Sequence, residues 1–371
     1  MSGAARTNGP RGAPTSSGPS TGHPVPYKHL LRLTDDVAIF EHAHRLSPRT
    51  EHGYCVDDVA RALIVVLRDP SAPAEVAALA DRYFTFVVDA VAGDGRVHNR
   101  RAFGRDGWTD EATVYDCWGR AVWALGTTAA LSPGMRPHAV ESFERAARQR
   151  SPFLHSMAYA GLGAAEVLGK EPKHGTARTL LGDAAAMIDT RTMASLGAST
   201  VVPATDAWPW PESRLRYANA VFPELLIAAG RSLPDPRLLD KGLALLEWLL
   251  GVETAPVPRG GHLSVTPVGG WAPGEPRPGF DQQPIEVAAL AEACARAAEA
   301  TGDMRWQAAV RRCEEWFDGR NDVGIPLADY ESGGGYDGLK AHGRNENQGA
   351  ESTLALVSVR QLARKGTPPI A

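Results

Sequence analysis

The sequence predicts an all-α protein in which six helical hairpins close into an (α/α)6 toroid. Twelve segments have the apolar spacing of helices, and Gly- and Pro-rich stretches separate them, whereas the alternation typical of strands is weak. Buried and amphipathic helices alternate along the chain, as expected for an inner and an outer ring. The predicted helices cover residues 35–45, 57–68, 73–92, 116–130, 136–149, 153–168, 173–188, 217–232, 234–250, 283–301, 303–318 and 348–364.

Residues 1–26 are rich in Gly, Pro, Ser and Thr and contain almost no large apolar side chain. Such a segment cannot bury enough surface to offset the entropy lost on ordering, so we predict a disordered tail. No comparable linker follows, which favours a single domain over residues 27–371. The Gly- and Pro-rich residues 252–275 are the one region with the pattern of a short β-hairpin.

The composition is that of a water-soluble protein of 371 residues with a net charge of −4. That balance argues against nucleic acid or an anionic membrane as a partner. No apolar run could span a bilayer, and the N-terminus lacks the apolar core of a signal peptide. Because the four cysteines are scattered, we expect reduced thiols in a cytoplasmic protein.

Two kinds of helix support the ring. The inner kind is rich in Ala, Gly and Leu, as in residues 158–165, and its small residues allow close approach of neighbouring backbones. The outer kind has a charged solvent face, as in residues 137–150. An α-solenoid would also alternate helices, but its repeats should resemble one another, and the sequence has no fixed-period self-similarity.

The first inner helix begins with two adjacent carboxylates, Asp57 and Asp58, preceded by Tyr54. Acidic side chains are favoured at a helix N-terminus, so both could be capping residues. They could equally be catalytic, because perturbed acids occupy the same position. Adjacent helical residues point about 100° apart, so only one can face a pocket directly. The other would cap the helix or pair with Arg61.

The starts of the other inner helices repeat this mixture of carboxylates, amides and aromatic rings. The inner N-termini of a toroid converge at one mouth, which these side chains would line. Sugar hydroxyls need paired donors and acceptors, and apolar sugar faces stack on aromatic rings, so we predict a carbohydrate site. Each residue alone could be a cap or a core ring. The candidate binding residues are Tyr54, Arg61, Asp116, Trp208, Trp210, Glu212, Gln283, Glu286, Tyr336, Asp337, Asn345, Asn347 and Glu351.

Other motifs are weak. His42 and His44 do not share a helix face, so we expect no metal site and no cofactor. Residues 333–338 are glycine-rich but lack the Lys-Ser/Thr of a nucleotide-binding loop, and no serine nucleophile elbow is present.

Five ordered motifs lie at residues 34–43, 53–63, 119–126, 280–286 and 345–353. They make the chain similar to a bacterial family of helical toroids whose members occur alone or with glycosyltransferases, often near mannoside-processing proteins. The resemblance implies a six-hairpin glycosidase-like fold after the tail, and it suggests association with a glycosyltransferase. The adjacent Asp pair is also similar to that of bacterial endo-α-1,6-mannanases. Tyr115-Asp116 departs from the Glu-Asp expected at the second inner helix.

The leading hypothesis is a glycoside hydrolase, with a mannoside as the expected substrate. Asp57 or Asp58 would act with a second carboxylate across the pocket, for which Asp281 is the first choice. Since the pair would come from different hairpins, we expect wide spacing and inversion of configuration. The sequence leaves the linkage and the oligomeric state open.

Three alternatives remain. A glycoside phosphorylase would share most of these parts with a hydrolase. A sugar epimerase or isomerase usually needs histidines as acid and base, for which His52, His98 and His342 are candidates. A non-catalytic glycan-binding module, or a partner of a glycosyltransferase, would keep the aromatic rings without needing mutually perturbed acids.

Overall fold

The computed structural model describes residues 23–197, 208–256 and 261–365, which form thirteen α-helices, a 3-10 turn (Thr50–His52) and six strands of two or three residues. The strands are β1 (Ala43–His44), β2 (Ser47–Pro48), β3 (Tyr54–Cys55), β4 (Arg100–Arg101), β5 (Gly338–Lys340) and β6 (Gly343–Asn345), paired antiparallel as β1–β2, β3–β4 and β5–β6. The helices are α1 (Lys28–Leu33), α2 (Val56–Arg68), α3 (Ala74–Ala77), α4 (Leu79–Ala90), α5 (Asp116–Leu131), α6 (Arg136–Ala146), α7 (Leu154–Lys170), α8 (Gly175–Gly197), α9 (Val221–Ser232), α10 (Pro236–Val252), α11 (Pro284–Thr301), α12 (Met304–Phe317) and α13 (Ala350–Lys365).

Six inner helices form a closed ring. Helices α2, α5, α7, α9, α11 and α13 each pack on the next, and α13 packs back on α2. Outside them, α4, α6, α8, α10 and α12 pack on the inner helices, and the short α1 packs on α13. The predicted all-α (α/α)6 toroid is therefore confirmed. No helix in the described ranges is both long and apolar enough to cross a membrane.

Glycines bring α5 and α7 into unusually close contact. A Cβ at Gly126 would overlap the carbonyl oxygen of Gly163, and a Cβ at Gly163 would overlap that of Val122. At Gly119 the obstacle would be the carbonyl oxygen of Ser156. The small side chains read from the sequence thus set the distance between two inner helices, and with it the distance between their N-termini.

The predicted helix over residues 35–45 is wrong. The Asp35 carboxylate accepts the backbone N–H groups of Val37 and Ala38, which makes a local turn instead of helical hydrogen bonds. The predicted helix over residues 73–92 is divided at Ala78 into α3 and α4. The remaining predicted helices are confirmed with shifts at their ends, the largest in α8, which continues to Gly197.

Two further predictions concern segments that are only partly described. Residues 1–22 of the predicted tail lie outside the described residues, and so do 257–260 of the predicted 252–275 hairpin. In the described part of that segment, Thr254 bridges Leu263, and Trp271 bridges Leu215 of a distant loop. Hydrogen bonds from Ala255 N–H to the His262 carbonyl and from Ser264 N–H to the Glu253 carbonyl flank the first bridge, so the described ends of this segment pair as in the short hairpin that the sequence suggested.

Candidate active site

The N-terminal ends of the inner helices surround a cavity of about 740 Å3, here called the central cavity. Carboxylates, arginines and amides dominate its lining, and the mixture can donate to and accept from sugar hydroxyls. The lining residues that carry the argument are Glu41, His42, Asp57, Asp58, Arg61, Arg100, Asp116, Arg120, Arg216, Tyr217, Gln283, Asp337, Asn345 and Glu351.

A second cavity of about 810 Å3, here called the side cavity, joins the central cavity. The two cavities have Asp57, Arg100, Asp116, Arg216 and Tyr217 in their common lining. Asp57 and Asp116 therefore lie where the two cavities meet. The residues that line only the side cavity include Asn99, Asp110, Glu111, Tyr115, Phe153, His155, Ser156 and Glu212.

The two adjacent carboxylates of α2 have different surroundings. Asp58 is buried and accepts hydrogen bonds from the guanidinium of Arg61 and from the thiol of Cys55. Arg61 extends from there to Glu351, with Nη2 at 2.8 Å from Oε2. Burial raises the pKa of Asp58 to about 7, although the charge of Arg61 opposes the rise. Asp58 therefore fixes Arg61 against α13, and it is Asp58 rather than Asp57 that pairs with Arg61.

Asp57 is the more accessible member of the pair, since 21% of its side chain is exposed. Burial raises its pKa, the charges of Arg120 and Arg61 lower it, and the charge of Asp116 raises it again. The Arg120 Nε lies 3.4 Å from Asp57 Oδ1. The residue at the N-cap of α2 is Cys55, and no side-chain capping bond is present there among the described atoms. Neither Asp therefore occupies the N-cap position itself, but both lie in the first turn of α2, where the helix dipole favours an acidic side chain.

Asp116 is held by the inner helix α7 and by the loop that precedes α9. At the start of α5, its Oδ1 accepts a hydrogen bond from Ser156 Oγ (2.8 Å), and its Oδ2 accepts one from Tyr217 Oη (2.6 Å). The ring of Tyr217 in turn stacks on His155, with ring centroids 4.2 Å apart. The carboxylate is therefore oriented as an acceptor beside Asp57.

Seven of the sequence-predicted binding residues line one of the two cavities. Arg61, Asp116, Gln283, Asp337, Asn345 and Glu351 line the central cavity. Asp337 also accepts the backbone N–H of Gly349 at 2.7 Å, and burial raises its pKa. Glu212 lines only the side cavity, so it belongs to the same cleft but not to the same half of it.

The predicted tyrosine and tryptophan platform lies outside both cavities. Tyr54 is buried, stacks on Phe40 and donates its hydroxyl to Asp35. Trp210 is fully buried and stacks on Trp248, with centroids 5.7 Å apart. Trp208 also packs on Trp248. These are core rings, so the prediction that they line the pocket is wrong. Trp208 and Trp210 pack on Trp248 of the outer helix α10 instead.

Four further predicted site residues have positions in the structure that differ from the predicted ones. Asp281 is exposed and is absent from the described lining, so it does not face Asp57 across the pocket. Glu286 is buried and accepts the backbone N–H groups that precede α9. Tyr336 lies beneath the guanidinium of Arg344, 3.5 Å from the ring centroid. Asn347 accepts the backbone N–H of Arg45 at 2.9 Å, so it holds a loop.

Sequence reasoning missed several cleft residues. Ser156 and His155 lie at the start of an inner helix, where the rule that found Asp116 could also have found them. Arg120 directly follows Gly119, the first residue of the motif at residues 119–126. Glu41 lies within the motif at residues 34–43, but that segment was predicted to be a helix and was not placed at the mouth of the ring.

Glu41, Cys55 and Asp58 have ligand atoms close enough together to share a cation. Both carboxylates are already partnered, however, Glu41 by Arg100 and Asp58 by Arg61. Burial also raises the pKa of the Cys55 thiol well above its usual value, which disfavours the thiolate that metals bind. We therefore assign no metal to this cluster.

Solved structures with a similar fold cover most of this chain. A D-mannose isomerase aligns with a TM-score of 0.65 at 12% identity, over 91% of this chain and 95% of that chain. A sugar epimerase from a ruminal bacterium gives 0.64 at 12%, over 91% and 95%. A GH76 α-mannanase of Bacteroides thetaiotaomicron gives 0.61 at 9%, over 91% and 93%. At such identities the likeness establishes the fold alone. No family model and no curated protein sequence matches the chain.

Proposed function

We propose that this protein is a glycoside hydrolase, in which Asp57 is the general acid and Asp116 is the second carboxylate. The observation that carries the proposal is the position of both side chains where the two cavities meet. A sugar on either side of that point would present its glycosidic oxygen to the pair. Asp116 replaces Asp281 as the partner, because Asp281 lies outside the lining.

The surroundings of each carboxylate suggest its role. Asp57 has a raised pKa, so it can deliver its proton to the leaving oxygen as the bond to the anomeric carbon breaks. Asp116, oriented by two hydroxyl donors, would either attack the anomeric carbon or take the proton of a water that attacks it. Inversion and a mannoside substrate stay predictions, as does association with a glycosyltransferase.

The test is a screen of oligosaccharides, including α-1,6-mannans, for release of reducing ends with and without inorganic phosphate. We expect release that does not require phosphate. Release only with phosphate, together with formation of a sugar 1-phosphate, would instead identify a phosphorylase. Binding of an oligosaccharide without turnover under any condition would support the non-catalytic alternative.

The pH profile should depend on Arg120. If Asp57 donates a proton, kcat/KM falls as the pH rises through its pKa. Burial raises that pKa, Asp116 adds to the rise, and Arg120, Arg61 and a hydrogen bond with Asn99 lower it. Arg120→Gln removes the larger of the two lowering charges, so the alkaline limb should move to higher pH.

The measurement is kcat/KM against pH for the wild type, Arg120→Gln and Arg120→Lys. The Lys variant keeps a positive charge and should shift the limb less. A limb that stays in place, or that moves to lower pH in Arg120→Gln, would contradict the assignment of Asp57 as the acid.

A sugar isomerase or epimerase is the second candidate, favoured by a buried histidine in the cleft. His155 lines the side cavity, and burial lowers its pKa to about 4, so it is a neutral base at physiological pH. The histidines named from the sequence, His52, His98 and His342, are absent from the described lining of both cavities. Conversion of mannose or cellobiose to an isomer, lost in His155→Ala, would favour this candidate.

A further inference from the structure

Two large aromatic side chains are exposed together at the side cavity. Tyr115 is 57% exposed and Phe153 is 49% exposed, and their rings meet edge to face with centroids 5.3 Å apart. Both line the cavity, and Tyr217, which is 40% exposed, lines it as well. Three of the eight exposed large hydrophobic side chains in the described part of the chain are therefore gathered in one cavity. We call Tyr115 and Phe153 the aromatic rim.

The two exposed rings stand at the starts of two neighbouring inner helices. Tyr115 is the N-cap residue of α5, and Phe153 is the N-cap residue of α7. Ser, Thr, Asp and Asn are preferred at that position because they accept a free backbone N–H. Asp235 and Asp303 do so at the outer helices α10 and α12. Neither rim residue makes such a bond within the described structure, so helix stability does not explain why aromatic residues stand there.

The side cavity also contains a carboxylate oxygen that makes no hydrogen bond within the described structure. Glu212 Oε2 is buried and makes no hydrogen bond to any described atom. Its position is fixed by the indole N–H of Trp208, which donates to the Glu212 backbone carbonyl at 2.7 Å. Burial raises the pKa of Glu212. Arg216 Nε lies 4.0 Å from Oε2, an ion pair too long to be a hydrogen bond, so the carboxylate keeps acceptor capacity for a ligand hydroxyl.

We propose that the side cavity is a sugar-binding subsite, in which the aromatic rim stacks on one ring of a neutral oligosaccharide and Glu212 binds a hydroxyl. This inference rests on the proposed function, because Asp57 and Asp116 then lie between two occupied subsites. The cavities measure about 740 and 810 Å3, and each by itself is within the range of pockets that bind a small molecule. The substrate class is therefore an oligosaccharide that extends on both sides of the cleaved bond.

The test compares a substrate that reaches the side cavity with one that has a single sugar ring. The double variant Tyr115→Ala/Phe153→Ala should lower kcat/KM for α-1,6-mannotetraose about tenfold, since an aromatic contact of this kind is worth about one order of magnitude at most. Its kcat/KM for 4-nitrophenyl α-mannopyranoside should change much less. Phe153→Tyr, which keeps a ring, should behave as the wild type.

Leu131→Ala is the matched control, because Leu131 is exposed at the opposite end of α5 from the rim. The Leu131→Ala variant should have the kcat/KM of the wild type for both substrates. An equal loss for both substrates, or no loss for the tetraose, would overturn the subsite.

Binding separates this inference from the proposed function. The affinity of mannotetraose is measured calorimetrically with the rim intact and with the double variant, both in the Asp57→Asn background. Weaker binding in the double variant supports the subsite even if the wild type shows no hydrolysis, in which case only the proposed function fails. Normal hydrolysis with unchanged binding in the double variant overturns the subsite and leaves the function standing. Absence of tetraose binding to the intact rim overturns the subsite.

Discussion

Replacing Asp57 or Asp116 by Asn should lower kcat by at least about 10²–10⁴-fold, the usual contribution of a general acid or base. Each change keeps the shape of the side chain and removes either the transferable proton or the carboxylate that acts as nucleophile or base. Neither residue forms part of the apolar core, so far-ultraviolet circular dichroism and the melting temperature should remain close to those of the wild type. Turnover is measured on the substrate identified by the screen.

Asp281→Asn is the control, since Asp281 is exposed and lies outside the described cavity lining. It should retain nearly full activity and stability. A loss of activity in Asp281→Asn equal to that in Asp57→Asn would restore the original choice of partner. Unfolding of both Asp57→Asn and Asp116→Asn, without a selective loss of activity, would mean that these carboxylates are structural.

Gly163→Ala should destabilise the fold by about 1–3 kcal/mol, the typical cost of overpacking a well-packed interior. The added Cβ would overlap the backbone of Val122 and Trp123, so α5 and α7 must separate. Gly169→Ala is the matched control on the same helix, because no heavy atom lies within 4 Å of a Cβ added there. It should stabilise the protein by about 0.4–1 kcal/mol through the unfolded chain.

Urea unfolding followed by circular dichroism measures both free energies of unfolding. Equal stability of the two alanine variants would show that α5 and α7 do not approach as closely as described. Because Asp116 begins α5, a destabilised Gly163→Ala protein that remains folded should also lose activity.

The ring of inner helices was predictable because the residues of each inner helix themselves indicate that it is buried. Small, uncharged residues make α5 and α7 buried on most faces, and that pattern can be read directly from the sequence. The helix predicted over residues 35–45 failed because the Asp35 side chain competes with the backbone for the same N–H groups. Apolar spacing alone does not reveal that competition.

The end of the ring that holds the site was also predictable, but side-chain direction was not. Asp57, Asp116 and Asp337 were found because inner helices begin at one mouth. Trp210, in the loop before α9, and Glu286, in the first turn of α11, are buried in the protein instead. Their direction depends on packing against neighbouring helices, which is decided by tertiary contacts far apart in the sequence.

Proton NMR of α-1,6-mannotetraose during incubation tests most directly whether Asp57 and Asp116 cleave a glycosidic bond. With the wild type, signals of new reducing ends should appear, and the first anomer formed reports retention or inversion. With Asp57→Asn these signals should be absent over the same period. Appearance of a C2 epimer or a ketose at the reducing end without chain cleavage, or equal cleavage by Asp57→Asn, would contradict cleavage by these two carboxylates.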